Sequence, residues 1–215
     1  MLFMNEFEKI RNDKLGPKVV DALKKRFFDA YYVSSAKDVS AKVLELIPKN
    51  HVVSWGGTAT VDELGIKQDL AKNGYSVIDR DTAKSPEERV ALMKKALTCN
   101  TFLMSANAIT EQGELFNIDG AGNRLAALCY GPDSVIVVAG LNKVVADMDA
   151  AVSRVRHFAA PVNAQRFNLD TPCCKTGECA NCVGTSSICC QFVETRLCKP
   201  AGRIKVILVG ENLGM

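Results

Sequence analysis

The sequence predicts an α/β fold: a three-layer, mainly parallel sheet with helices on both faces and a cysteine-rich C-terminal insertion before the last strand. Three observations lead there. Short apolar runs alternate along the chain with segments of helical period, the pattern of βα units. The firmest runs, TFLMS at 101–105 and SVIVVA at 134–139, have the look of buried strands. Polar, glycine-bearing stretches follow several runs, and loops at strand ends are where small-molecule sites in α/β proteins lie.

Taken in order, residues 1–16 read as a short N-terminal helix stopped at Lys14-Leu15-Gly16. The α/β domain then spans 17–215. Pro17 opens a second helix, with Val19, Val20, Leu23, Phe27 and Phe28 mostly on one face. Strands are expected at Asp29–Ser34, His51–Ser54, Tyr75–Asp79, Thr101–Ser105, Ser134–Ala139 and Arg203–Gly210. Helices are expected at Lys37–Leu46, from Thr58 to Leu64, at Pro86–Leu97 with Ser85 as its cap, at Gly122–Cys129 and at Asp147–Phe158. Residues 168–200 carry no clear period and read as an insertion, long enough to suggest function or a metal clip.

The 215 residues suffice for one core without staples. The net charge of +3 comes from dispersed residues, and Lys24-Lys25-Arg26 and Lys94-Lys95 read as solvated helix faces, so nucleic acid is not an expected partner. No apolar run reaches the ~20 residues of a membrane span and no signal-peptide pattern is present, so a cytoplasmic protein is expected. Seven of the nine cysteines fall between 173 and 198. In a cytoplasmic chain that already has a core, such crowding points to metal or redox chemistry rather than a disulfide scaffold.

The stretch Ser105–Arg124 carries most of the candidate chemistry. Asn107, Thr110, Glu111, Asn117, Asp119, Asn123 and Arg124 crowd between short apolar pieces, with Gly113, Gly120 and Gly122 permitting turns. A ligand loop and a plain hairpin turning at Gln112-Gly113 and Asp119-Gly120 both satisfy it. Glu111, placed where a carboxylate emerges at a strand end, is a candidate base or nucleophile, and Asp119 shares that reading; a surface acid on a turn is the alternative for each. Gly56-Gly57-Thr58 joins a strand to a helix. Its glycines allow a ligand near the backbone, and the free N–H groups and the Thr58 and Thr60 hydroxyls suit an anion, although a tight capped turn also explains it. Asn142 and Lys143 follow SVIVVA in the equivalent place, where a lysine meets an anionic substrate or is simply solvated. His51 and His157 read as structural.

Cys173, Cys179, Cys182 and Cys189 form C-x5-C-x2-C-x6-C, four soft ligands within seventeen residues. They suit an iron–sulfur cluster or zinc. Redox-active thiols and unligated structural cysteines are the other readings. Cys174, Cys190 and Cys198 are spare thiols, and Cys99 and Cys129 read as core.

Together, SWGGTATVDELGI (54–66), FLMSANAITEQGELFNIDGAGNRLAAL (102–128), YGPDSVIVVAGLNKVV (130–145), AAPVNAQRF (159–167), TPCCKTGECANC (171–182) and RIKVILVGENLG (203–214) resemble the LUD (lactate utilisation domain) family. The resemblance implies the fold shared with ribose-5-phosphate isomerase and CoA transferases. It also implies a part in oxidising lactate to pyruvate beside iron–sulfur partner subunits. The family's glycine-rich loop falls on Gly56, Gly57 and Thr58, and its N-A-I-T-E segment on Asn107–Glu111. Its N-I-D-G-x-G-N-R falls on Asn117–Arg124, its G-x-N-K on Gly140–Lys143, and its cysteines on Cys173, Cys179, Cys182 and Cys189. Where the family brackets its last cysteine with arginine and asparagine, Ser187 and Cys190 stand nearby here, and the double-cluster motif of the larger LUD subunit is missing. The expectation is a subunit of a lactate (2-hydroxy acid) oxidation system. In it Gly56, Gly57, Thr58, Asn107, Asn117, Arg124, Asn142 and Lys143 bind a small anionic metabolite and Glu111 or Asp119 acts as acid/base. A transferase or isomerase acting on a CoA ester or sugar phosphate, and a non-catalytic assembly subunit docking a redox partner, are the alternatives.

Overall fold

A computed structural model describes residues 5–215. In chain order the elements are α1 (Glu6–Lys25), β1 (Asp29–Val33), α2 (Val39–Leu46), β2 (Val52–Trp55), α3 (Ala59–Glu63), α4 (Ile66–Lys72), β3 (Ser76–Ile78), α5 (Pro86–Ala96), β4 (Thr101–Met104), β5 (Ala108–Thr110), β6 (Leu115–Asp119), α6 (Asn123–Cys129), β7 (Ser134–Gly140), β8 (Val144–Val145), α7 (Met148–Arg154), α8 (Ala160–Arg166), α9 (Pro172–Thr176), β9 (Gln191–Thr195) and β10 (Ile204–Val209).

Six strands form one sheet in the order β1-β10-β7-β4-β2-β3, with every neighbouring pair parallel. The period-2 alternation of a strand explains the layers. On β7, Val135, Val137 and Ala139 enter the core shared with Val19 and Leu23 of α1 and Leu125 and Leu128 of α6. Ile136 and Val138 enter the opposite core with Val39 and Val43 of α2, Val61 of α3 and Ile66 and Leu70 of α4. Both faces of the strand are therefore covered, as the unbroken apolar run requires.

The strand order reverses beside β2. Its chain continues outward to β3 at the edge, whereas β4, on the other side of β2, leads back toward β7. Such a switch point splays the two exit loops apart and leaves a crevice at the carboxyl ends of the strands.

A second, smaller sheet, β8-β5-β6-β9, was not expected from the sequence as a sheet. The hairpin reading of 105–124 is realised within it: β5 and β6 pair antiparallel, with Gly113 at φ +86° in the turn. The insertion 168–200 is not structureless, since it supplies α9 and also β9, which pairs with β6.

Three further expectations are corrected. The helix break at Gly16-Pro17 does not occur, and of the helix expected over 1–16, residues 1–4 lie outside those described. A single helix runs Glu6–Lys25, capped by Asn5, whose side chain accepts from Glu8 N while the Glu8 carboxylate accepts from Asn5 N. Gly16 is a buried contact against the ring of Tyr32, not a left-handed stop. The helix expected to end at Phe158 continues through a π-helical turn, Val155–Ala159, into α8. Pro161 offers no N–H and its ring crowds the carbonyl four residues back; the wider turn relieves both, with Ala160 N–H donating to Val155 O. Cys129, read as core, is exposed, and Cys198 is buried.

Candidate functional site

A cavity of about 290 Å³ occupies the switch point. The loop after β2 contributes Gly57, Thr58 and Thr60, and the loop after β4 contributes Ser105 and Asn107. Arg80 follows the edge strand β3, Asp119 ends β6, and Arg124 begins α6. Lys143 arrives from the turn after β7, and Arg89 and Arg166 come from α5 and α8. Among the described residues four arginines and Lys143 therefore line the cavity with one acidic side chain, Asp119; outside it Arg80 and Arg89 also pair with Asp81 (3.8 and 3.2 Å) and Arg166 with Asp62 (3.9 Å).

Arg124 is held in place from three directions. It donates to Ser105 O (3.3 Å), to Asn107 Oδ1 (3.1 Å) and to Ile118 O (2.5 Å), with its Nε 3.7 Å from Asp119. Burial pulls its pKa down and the Asp119 charge opposes that; a guanidinium starts so high that it stays cationic. Asn107 Oδ1 also accepts from Ile118 N (3.0 Å), and Asn117 Oδ1 accepts from Asn107 N (3.2 Å). These reciprocal amides lock the β4 exit loop onto β6. Asn117 is fully buried and acts as that lock, outside the cavity lining.

The glycine pair has a steric explanation. A Cβ on Gly56 would stand 3.1 Å from Cδ of Arg124, and one on Gly57 would collide with the guanidinium of Arg80. Gly56 thus backs the site without lining it. Burial first, and then the neighbouring Arg89, lower the Arg80 pKa. Its Nε, 3.8 Å from Asp81, and the Thr58 hydroxyl are buried donors with no hydrogen-bond partner among the described residues.

Lys143 is the least ordinary group. Only 3% exposed, it donates to Ser105 Oγ (2.9 Å) and Thr60 Oγ1 (3.1 Å) and makes no salt bridge among the described residues. Burial, and after it the charges of Arg154 and Arg124, push its pKa down to about 7, with Glu63 opposing. Asn142 is turned away from ligand binding. Its amide clamps the last residues, Oδ1 accepting from Leu213 N (3.1 Å) and Nδ2 donating to Leu213 O (3.4 Å).

Glu111 does not reach the site. It is exposed at the hairpin turn, its N–H donating to Val145 O, four residues beyond Asn107 along β5. At about 3.3 Å per residue that is roughly 13 Å from the rim. The opposite end of the hairpin packs on α1, where Arg26 pairs with Glu114 at 2.7 Å. Asp119 does reach the site, but both its oxygens are engaged, Oδ1 by Gly120 N (2.9 Å) and Oδ2 by Leu125 N (3.3 Å). His51 is structural, its Nδ1 sharing a hydrogen bond with Thr101 Oγ1 (2.8 Å), and His157 is exposed.

Arg80, Arg89, Arg166 and Ser105 were not singled out from the sequence. Arg80 was findable, because it stands just past a strand end beside the glycine loop. Arg89 and Arg166 lie on helices and give no local signal.

The cysteine-rich segment borders the cavity. Ile188 lines it and packs against Gly120, and Cys190 N–H donates to Asp119 O (2.9 Å). Burial, and then the nearby Cys179, Cys182, Cys173 and Cys190, push the Cys189 thiol up to about 11, which puts these sulfurs in one neighbourhood. Among the described residues no three His, Cys, Asp or Glu side chains are grouped closely enough to hold a metal ion, and all nine cysteines are free thiols.

A doubly covered parallel sheet with a cation-lined cavity at its switch point defines an α/β protein with a candidate small-molecule site. The LUD domain family model matches residues 17–209, and the chain belongs to that family. A DUF162 family protein from Deinococcus radiodurans, solved by crystallography, is similar at 15% identity and a TM-score of 0.54, over 92% of this chain and 98% of that one; it bears on the fold alone. eIF2B delta from Chaetomium thermophilum overlaps 51% of this chain and 48% of its own at 16% identity and a TM-score of 0.34, too low to carry an argument. No curated protein matches the chain. Among the described residues no helix is long and apolar enough to cross a membrane.

Proposed function

We propose that the chain is a subunit of a lactate (2-hydroxy acid) utilisation system that binds a small carboxylate or phosphate metabolite at the switch-point cavity. One observation carries this reading: among the described residues four arginines and a lysine line the cavity against one acidic side chain, Asp119, whose oxygens are already engaged. Like charges so placed repel one another and are most stable with an anion between them. Arg80 Nε and the Thr58 hydroxyl, which have no hydrogen-bond partner among the described residues, supply further hydrogen bonds for it. Family membership agrees with a lactate-linked role.

The transferase alternative needs a carboxylate nucleophile in the cavity. Glu111 lies outside it and Asp119 is occupied in holding the β6–α6 turn, so that reading has less support.

For the cysteines, the four-thiolate donor set suits an iron–sulfur cluster, with zinc as the alternative. A cluster spreads its thiolates over several irons. Cys173, Cys179, Cys182 and Cys189 would hold it, and bound there it would supply one-electron transfer beside the cavity.

Thermal-shift and calorimetric titrations with lactate, pyruvate and inorganic phosphate test the anion site. At least one is expected to raise the melting temperature and to bind more weakly as salt rises. Arg80→Ala is expected to weaken that binding roughly ten- to a hundredfold, the range for losing a charged hydrogen-bond donor. Three flat titrations would remove the proposal.

A further inference from the structure

We propose that Lys143 is a nucleophile that captures the ketone carbon of a 2-oxo acid as an imine, while the arginines of the same cavity hold the acid's carboxylate. The inference deepens the anion-site reading above and rests on it.

A lysine kept for structure would be paired with a carboxylate or would carry its charge to solvent, because a buried unpaired ammonium is costly. Lys143 does neither. Its Nζ sits on the cavity wall against two hydroxyls, those of Ser105 and Thr60. The charged groups acting on it are Arg154 and Arg124, which disfavour the ammonium, and Glu63, which favours it. The Glu63 carboxylate is also occupied, accepting from Gly214 N at 3.0 Å. Burial and the neighbouring cations together leave a substantial share of the amine neutral near pH 7. These are the two devices that activate a lysine toward carbonyl compounds.

The spacing of the groups selects the class of carbonyl compound. Lys143 and Arg124 both bind Ser105, Nζ to its Oγ at 2.9 Å and Nη1 to its carbonyl at 3.3 Å. Amine and guanidinium are thus one residue's span apart. Nη1 keeps a second N–H beyond the one given to Ser105. A carboxylate seated there places the adjacent carbon, rather than a distant one, toward Nζ, and in a 2-oxo acid that carbon is the ketone. In the reaction Nζ forms a C–N bond to it and the C–O bond breaks. Both amine protons end on the departing oxygen, which leaves as water, and a C=N bond remains. The Ser105 and Thr60 hydroxyls are placed to relay those protons. No oxidant or reductant is consumed.

The test is reductive trapping. The full-length protein is mixed with pyruvate and borohydride and mapped by peptide mass spectrometry, with a thermal-shift titration of pyruvate, lactate and phosphate run in parallel. One reduced pyruvate adduct on Lys143, absent from Lys143→Arg and forming faster as pH rises from 6 to 8, supports the proposal. The wild-type map stands even if the variant fails to fold. A thermal shift with pyruvate but no adduct on Lys143, or adducts spread evenly over exposed lysines, overturns the imine and leaves the anion site intact. No shift with any of the three anions and no adduct overturns both.

Discussion

Gly57 has no left-handed φ, so its backbone accepts a side chain; what an alanine there would strike is the mobile end of Arg80. Gly57→Ala should therefore change stability by less than about 1 kcal/mol while weakening anion binding as the arginine is displaced. Calorimetry beside a melting curve separates the two effects. Lys143 makes a prediction of the opposite kind, on stability. Its pKa is about 7 folded against 10.5 for the free side chain. Between those values the unfolded chain binds more protons, so stability rises with pH across that window, and the penalty is at its fullest below pH 7. Lys143→Met removes the group. It should flatten the rise and stabilise the protein at pH 6, by an amount on the order of a few kcal/mol. Parallel melting-temperature profiles for variant and wild type between pH 6 and 10 would refute the depressed pKa.

At the scale of elements, the β5–β6 hairpin holds two jobs apart. One end carries Asn107 and Asp119 to the cavity, and the other turns against α1. Gly113 takes φ +86° in that turn, and a Cβ on it would lie 2.6 Å from Leu23 N and 2.9 Å from Ala22 O. Neither atom can yield without moving helix backbone. Gly113→Ala should cost about 2–4 kcal/mol from strain and overlap together, read as a lowered urea midpoint at unchanged slope. Anion affinity should be spared, because the contact lies at the far end of the hairpin. The π-helical turn before Pro161 is another device at this scale, since Ala159 and Ala160 beside it line the cavity.

Over the whole molecule, the cysteine-rich segment is tied to the site by β9 pairing along β6 and by Ile188 at the cavity wall. Anaerobic reconstitution with iron and sulfide should give a visible absorbance and bound iron, both lost in Cys179→Ser. A colourless, iron-free protein after reconstitution would remove the cluster. The family match begins at residue 17, in the middle of α1. That helix is nonetheless continuous, and its first half is bound to the sheet through Asp13, which accepts from Tyr32 Oη (2.6 Å) and Ser34 Oγ (2.8 Å).

Strand and helix order, the doubly buried sheet and the family were legible in the residues, because period and turn chemistry are local properties written into neighbouring positions. So was the approach of Gly57, Thr58, Asn107 and Lys143, since in a parallel sheet the exit loops of β2, β4 and β7 land on one rim; Asp119 and Arg124 reach it through β6 of the second sheet, which the sequence did not show. The tertiary structure alone decided the rest. Glu111 and Asn107 sit four residues apart in similar polar company, yet strand rise carries one to α1 and leaves the other at the cavity. Arg89 and Arg166 stay exposed, and only the packing of α5 and α8 brings them to the cavity mouth. Lys143 reads as a solvated turn residue until the sheet and the loops of Ser105 and Thr60 close over it, because desolvation is set by what surrounds a group in space and not by its neighbours in the chain.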